Sequence, residues 1–443
     1  MNDQVSRLGD HSGPVLRTPL PGPRARRVVS EDERVTSPSL PRAYPFVPVR
    51  GEGCLIEDAD GNILLDFNAG IATNSTGHAH PRVVAAVQEQ AGRLLHYCSS
   101  DFYVPVYAEL CARLARLSPF GEDARVFLGN SGTEAVEASL KLARRHTGRP
   151  NIVSFLGSFH GRTYGSVSVT GSKHAYRDGF GPLLPGVFHA PYNDTFTLAD
   201  GTRSTVPDYL EEVVFARLTA PDQVAAILVE PVLGEGGYVP ADPAWLRGLR
   251  ELCDRHGILL IADEVQTGCG RTGTFWACDR FGVTPDILLA GKGLASGLPL
   301  SAMIARSSVM DWPAGAHGST FGGNPVSCAA ALATTDLVTE SLAENALKQG
   351  AFLLDRLSRL EDEPHVESVT GLGLMIGITF TSARFASQVE AACFRRGLLV
   401  LQAGDRTVRV SPPLVLREDQ AAAGADLLVE TVAECAAGAA AAG

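Results

Sequence analysis

DILLAGKGLASGLPL, residues 286–300, sets one lysine between two glycines, directly after an apolar run that reads as a buried strand. Desolvating an unpaired ammonium is costly, and such a group shifts its pKa or reacts instead. Only four of the 38 basic residues are lysine (Lys141, Lys173, Lys292 and Lys348). Arginine is the ordinary cation of this chain, so Lys292 reads as a choice of chemistry: an amine can become neutral and nucleophilic. Upstream, ILLIADEVQTGCGRTG (258–273) ends a second apolar run in Asp263 and Glu264, and Asp263 lies 29 positions before Lys292. A lone carboxylate at a strand end commonly caps a helix or forms a turn. An acid on one strand end and a lysine on another, in one sheet, is less common.

Outward from this pair, short apolar runs alternate with helical patterns from about residue 124. ARVFLGN leads to GTEAVEASLKLARRH, NIVSFLG follows, and VAAILVEPV precedes AWLRGLRELCDRHG. Such alternation predicts an α/β fold with a central, mainly parallel sheet, whose ligands gather at the carboxyl ends of the strands. HPRVVAAVQEQAGRLL (80–95) and VYAELCARLARL (106–117) have helical spacing, and GCLIEDADGNILLDF (53–67) reads as a hairpin turning at Asp60–Gly61–Asn62. After about 325 a helix is followed by GLGLMIGITF, GLLVLQ and TVRVSP as strands and a closing helix at 418–436, a smaller α+β domain. The Pro-, Arg- and Ser-rich residues 1–38 lack periodicity and read as a mobile arm.

The bulk composition narrows the function. The 443 residues suit two or three domains, and 45% hydrophobic with 20% charged residues is a globular composition. A net charge of −11 argues against nucleic acid, and no 18-residue apolar run suggests a membrane span. MNDQVSRLGDHSG lacks the apolar stretch of a secretory signal. Nine cysteines without a CxxC pair read as reduced thiols of a cytoplasmic protein, with no metal site expected.

Further motifs carry chemistry. GNSGTEAVEASLKLAR (129–144) is a polar turn opening a helix. Ser131 or Thr133 would satisfy a free amide there, and the same amides with the helix dipole suit a phosphate. FLGSFHGRTYGS (155–166) places Phe159, His160 and Arg162 just past a strand. HGSTFGGNP (317–325) is a glycine-rich loop before a helix. ILVEPVLGEGGY (227–238) contains Glu235, TVRVSPPL (407–414) contains Arg409, and NAGIATNSTGH (68–78) contains Ile71.

In their order these motifs resemble the class III pyridoxal-phosphate (PLP) aminotransferases of fold type I, over about residues 40 to 430. The resemblance implies residues 39–75 as the N-terminal part of a small domain, 76–325 as the large PLP-binding domain and 326–443 as the C-terminal small domain. Lys292 would form the Schiff base with PLP, and Asp263 would pair with the pyridine nitrogen. Gly132 and Thr133, with Ser131, would hold the phosphate. Phe159 would stack on the ring with His160 beside it, Val265 would lie against the opposite face, and Gln266 near the phenolic oxygen. Thr320 would reach the phosphate of a neighbouring subunit's cofactor, making a homodimer the smallest functional unit. Arg162 matches the arginine that holds a substrate carboxylate in aminobutyrate- and acetylornithine-type members. Glu235 would mask Arg409 until an α-amino dicarboxylate enters. Ile71 matches the aminobutyrate type, whereas ornithine δ-aminotransferases tend to carry tyrosine there. Leu233 stands where members usually have glutamine, and Ser296 where glycine is frequent, the latter expected to matter little. The implied activity is transfer of an amino group from an ω-amine or amino acid to a 2-oxo acid such as 2-oxoglutarate. The alternative is an amino-acid racemase or epimerase of the same fold.

Overall fold

The computed structural model describes residues 7–193, 196–197 and 203–442. Seven strands build the central sheet: β1 (Ala124–Gly129), β2 (Asn151–Phe155), β3 (Val187–Ala190), β4 (Val224–Val229), β5 (Leu259–Asp263), β6 (Ile287–Ala290) and β7 (Ser301–Arg306). Their order across the sheet is β1-β7-β6-β5-β4-β2-β3. All are parallel except β7, which runs against both β6 and β1. The expected mainly parallel sheet is therefore present, with one antiparallel strand, SAMIAR, that the apolar-run reading passed over.

Every residue of β4, β5 and β6 is buried, as expected for strands covered on both faces. Alternation divides them: Ile227 and Val229 join a core with Leu246 and Leu249 of α2 (Pro243–His256), whereas Ala226 and Leu228 join one with Val136 and Leu140 of α1 (Gly132–Thr147). Helix α2 starts where the Asp242 carboxylate accepts from the amides of Ala244 and Trp245, at 2.8 and 2.9 Å, and stops at Gly257 with φ +59°. The carboxyl ends of β1, β2, β4, β5 and β6 share one edge, so the segments following them converge there.

A four-stranded antiparallel sheet of Val366–Gly371, Ile376–Phe380, Thr407–Val410 and Leu401–Ala403 forms the smaller lobe. The hairpin Leu55–Asp58/Ile63–Asp66 extends the strand Pro48–Glu52, and Leu398–Leu399 pairs parallel with its last strand. From Leu8 onward the described residues of the N-terminal segment pack against the body. Leu8 is buried, Val15 and Ile63 exchange two backbone hydrogen bonds of 2.9 Å, and a helix spans Pro23–Val35. Its first amides, of Arg24 and Ala25, donate to the Asp60 carboxylate at 2.9 Å each. A helix capped by the hairpin turn is fixed to the body, a long-range tie that local composition does not reveal. Among the described residues no helix is long and apolar enough to cross a membrane.

Candidate active site

Asp263 closes β5 and pairs in register with Leu289 of β6, three residues before Lys292. Adjacent parallel strands thus deliver the acid and the amine to one edge. Asp263 is buried. Its Oδ2 lies 2.7 Å from Nδ1 of the buried His160, and its Oδ1 accepts from the amide of Val265 at 3.1 Å. The His160 amide in turn donates to Thr170 Oγ1 at 2.9 Å, which holds the backbone of His160 beside the carboxylate. Burial pushes the Lys292 ammonium below its usual range, against the carboxylates of Glu230, Asp263 and Glu235, while Arg409 adds to the lowering. Lys292 itself has φ +32°.

Val265 is the meeting point of two glycines. A Cβ on Gly132 would lie 2.7 Å from Val265 Cγ1, and one on Gly291 3.2 Å from it. That close approach brings the head of α1 beside the lysine loop. Ser131 is the N-cap of α1. The Glu134 carboxylate accepts from the amides of Asn130 and Ser131, at 2.5 and 2.9 Å, and from Ser131 Oγ at 3.2 Å. Thr133 Oγ1 bonds Thr163 Oγ1 and Ser166 Oγ, both at 2.7 Å. Its hydroxyl is therefore engaged, leaving the Gly132 and Thr133 amides, unlike that of Glu134, without a partner in the helix ladder.

Phe159 is half-buried, and its amide donates to Glu230 Oε1 at 2.8 Å. The Arg162 guanidinium lies over Tyr176, 3.6 Å from the ring centroid, and 5.9 Å from that of Phe159. Gln266 accepts from Tyr238 Oη at 2.9 Å. Glu235 and Arg409, from the large and small lobes, form a 2.9 Å ion pair with side-chain exposures of 16% and 3%. Arg409 Nε is buried and has no partner among the described residues, so its fork keeps an open donor. Thr320 stands apart, exposed on a loop that Ser319 ties to Ser100 and Asn130.

Ile71 occupies an unusual backbone. Ala69, Gly70, Ile71 and Ala72 have φ of 50°, 61°, 65° and 58°, and the amides of Ala72 and Thr73 donate four residues back, to Asn68 and Ala69. This is a left-handed helical turn. Each non-glycine residue in it costs roughly 1–2 kcal/mol, and such strain concentrates at functional sites. Its neighbours are the lysine loop, where Ser75 Oγ donates to Gly293 O at 2.6 Å, and the strand of Arg409, where the Ser411 amide donates to Phe67 O at 2.7 Å.

A family model for class-III aminotransferases matches residues 38–432. The chain belongs to the class-III aminotransferase family. It is 36% identical over 432 residues to an alanine/serine racemase of Pyrococcus horikoshii, covering 93% of this chain and 91% of that one. An acetylornithine aminotransferase of Thermosynechococcus vestitus is 43% identical over 385 residues, 84% of this chain and 89% of its own. The crystal structure of an ornithine aminotransferase from Toxoplasma gondii superposes with a TM-score of 0.84 at 32% identity, covering 93% of this chain and 95% of that one.

Class-III aminotransferases are PLP-dependent enzymes, and the residues gathered here fit that cofactor. One amine of lowered pKa, one buried carboxylate fixed by a histidine, and amides heading α1 surround a place where Gly132 and Gly291 admit no side chain.

Two site residues escape motif reading. Glu230 follows β4 directly, is buried, and accepts from the amides of Phe159 and Gly234 at 2.8 and 2.9 Å. Burial raises its carboxyl to about 7, with Asp263 adding to the rise and His160 opposing it. Its only signal in the sequence is an acid ending an all-apolar strand, the same signal that Asp263 gives. Tyr238, φ +59°, is fully buried against Gln266. Ser296 Oγ accepts from the Thr76 amide at 3.2 Å and Thr76 Oγ1 at 2.9 Å, and meets Thr334 Oγ1 at 3.2 Å. Leu233 is buried against Gly157 and Gly236, an apolar contact in the glutamine's place.

Proposed function

We propose that this enzyme transfers an amino group from an ω-amine or amino acid, such as 4-aminobutyrate or acetylornithine, to a 2-oxo acid such as 2-oxoglutarate. The observation that carries the reading is the nearly buried Glu235–Arg409 pair with its open Nε donor. For a pair this buried the cost of desolvating both charges largely offsets their attraction, so stability is a weak reason to keep one between two lobes. As a switch it has a use: with Glu235 in place an uncharged or amine-bearing chain is accepted, and with Glu235 displaced the Arg409 fork takes a carboxylate bidentately.

Bound PLP supplies an electron sink for the carbanion formed at the substrate carbon. Lys292 would hold it, and Asp263, oriented by His160, would keep its ring nitrogen protonated. Phe159 and Val265 would sandwich the ring, Gln266 would lie by the phenolic oxygen, and Ser131, Gly132 and Thr133 would face the phosphate. A neutral Lys292 Nζ, favoured by burial, is suited to take and return the substrate proton. Arg162 would hold the donor's distal carboxylate, with Ile71 bordering the same pocket. Thr320 would serve a second copy of the chain, so the working form is a homodimer, in the cytoplasm where nine free thiols persist.

Racemisation is the second reading, favoured by the near full-length match to the Pyrococcus racemase. One assay separates the two. Purified protein with PLP is given L-amino acids and ω-amines, with and without 2-oxoglutarate, and products are resolved by chiral chromatography. Oxo products that require the acceptor are expected. D-amino acids formed without it would overturn the proposal. In the same assay Lys292→Ala should lose turnover and the visible absorbance of lysine-bound cofactor. Arg409→Ala should cut kcat/KM for 2-oxoglutarate at least tenfold more than for ω-amines.

A further inference from the structure

The left-handed turn Ala69–Ala72 has no support from a favourable backbone, so something in the fold must hold it. Asp66 does so from inside. Its carboxylate is buried; Oδ1 accepts from the amides of Asn68 and Ala69 at 2.9 and 2.8 Å, the two donors that lead into the turn. Oδ2 meets His78 Nε2 at 2.7 Å. His78 is anchored independently. It exchanges backbone hydrogen bonds of 3.0 and 2.9 Å with Gly53, and its Cβ lies 2.6 Å from where a Cβ on Gly51 would be. An open cavity of about 460 Å³ is bordered by Asp66 and His78 together with Asn68, Gly70 and Asn74, so the clamp and the turn face one space.

Residues 74–76, on the C-terminal side of the turn, meet the lysine loop. Ser75 Oγ reaches Gly293 O, the Thr76 amide reaches Ser296 Oγ, and Asn74 Oδ1 lies 2.4 Å from where a Cβ on Gly297 would be. On the N-terminal side, Phe67 O meets the Arg409 strand by accepting from the Ser411 amide at 2.7 Å. The turn is therefore flanked by contacts to the lysine loop on one side and to the segment after Arg409 on the other.

We propose that Asp66 and His78 are positioning residues for the substrate pocket: together they hold the left-handed turn that presents Ile71 between Lys292 and Arg409, and so set donor affinity without touching the donor. The link to donor binding rests on the proposed function. The clamp does not, and the test keeps them apart.

Asp66→Ala, Asp66→Asn and His78→Ala are prepared with PLP. In Asp66→Ala, hydrogen exchange at residues 68–74 should accelerate at least tenfold while β4 is unchanged. KM for the donor should rise at least fivefold with kcat within twofold and cofactor absorbance intact. Asp66→Asn keeps an acceptor for the two amides and should recover most of both effects. Unchanged exchange at 68–74 removes the clamp. Faster exchange with an unchanged KM, or an Asn variant as impaired as Ala, removes the positioning role. If the wild type turns over no donor, the function has failed while the exchange result still stands for the clamp. Should Asp66→Ala not fold, His78→Ala decides, since it leaves both amide bonds but frees Oδ2. A KM rise of at least threefold is expected, and no change overturns the proposal.

Discussion

Glu230 illustrates how one buried carboxyl group ties together two loops that follow different strands. It accepts from the amide of Phe159 on one side and of Gly234 on the other, next to the Asp263–His160 pair. Its carboxyl titrates at about 7 in the folded chain against 4.5 ordinarily, chiefly through burial. A raised carboxyl pKa means that the folded state retains a proton the unfolded chain gives up. Its contribution is complete below about pH 4.5 and is lost as pH rises through 7. Glu230→Gln does not titrate, so its stability relative to the wild type should climb by about 2 kcal/mol between pH 5 and pH 8. Denaturant unfolding at each pH checks this, and a pH-independent difference would refute it. Residues of this kind mark the edge of what sequence shows. Lys292 and Asp263 stand out because their type is odd for their surroundings. Glu230 has the same oddity, but its partners are backbone amides brought in from residues 159 and 234, which no local pattern records.

At the scale of elements, the apolar runs give away β4, β5 and β6 because a strand covered on both faces needs no alternation. The helices α1 and α2 are equally legible from spacing and caps. Strand β7 is missed because SAMIAR carries a serine at one end and an arginine at the other, although Ser301–Ala305 are all buried. The left-handed turn is missed for another reason: AGIA has ordinary helix-compatible residues, and only tertiary contacts override their preference. The head of α1 makes a test of packing against binding. In Gly132→Ala the new methyl would meet Val265 Cγ1 at 2.7 Å. Moving Val265 should weaken PLP retention at least tenfold in equilibrium dialysis, with little change in helix content by circular dichroism. Unaltered retention would show that the glycine is not needed there.

Across the whole molecule, the sequence announces the lobes but not how they face one another or a second chain. Leu94, Leu95, Tyr97, Phe102, Tyr103 and Phe321 are exposed large apolar side chains. Hydrogen bonds between Ser100 and Ser319 join their two segments into one surface that includes Thr320. An apolar surface of this kind is the candidate face for the proposed homodimer. Tyr103, fully exposed, should report on it: Tyr103→Arg is expected to shift the protein toward monomer in sedimentation velocity, with specific activity falling in proportion to the dimer lost. A monomer of full activity would separate the surface from catalysis. The contact between Glu235 and Arg409 has a mechanical side as well. It staples positions 174 residues apart, one on each lobe, so in the proposed switch an acid that takes the arginine would also unfasten that staple. Ligand chemistry and lobe posture would then be coupled through the same two atoms.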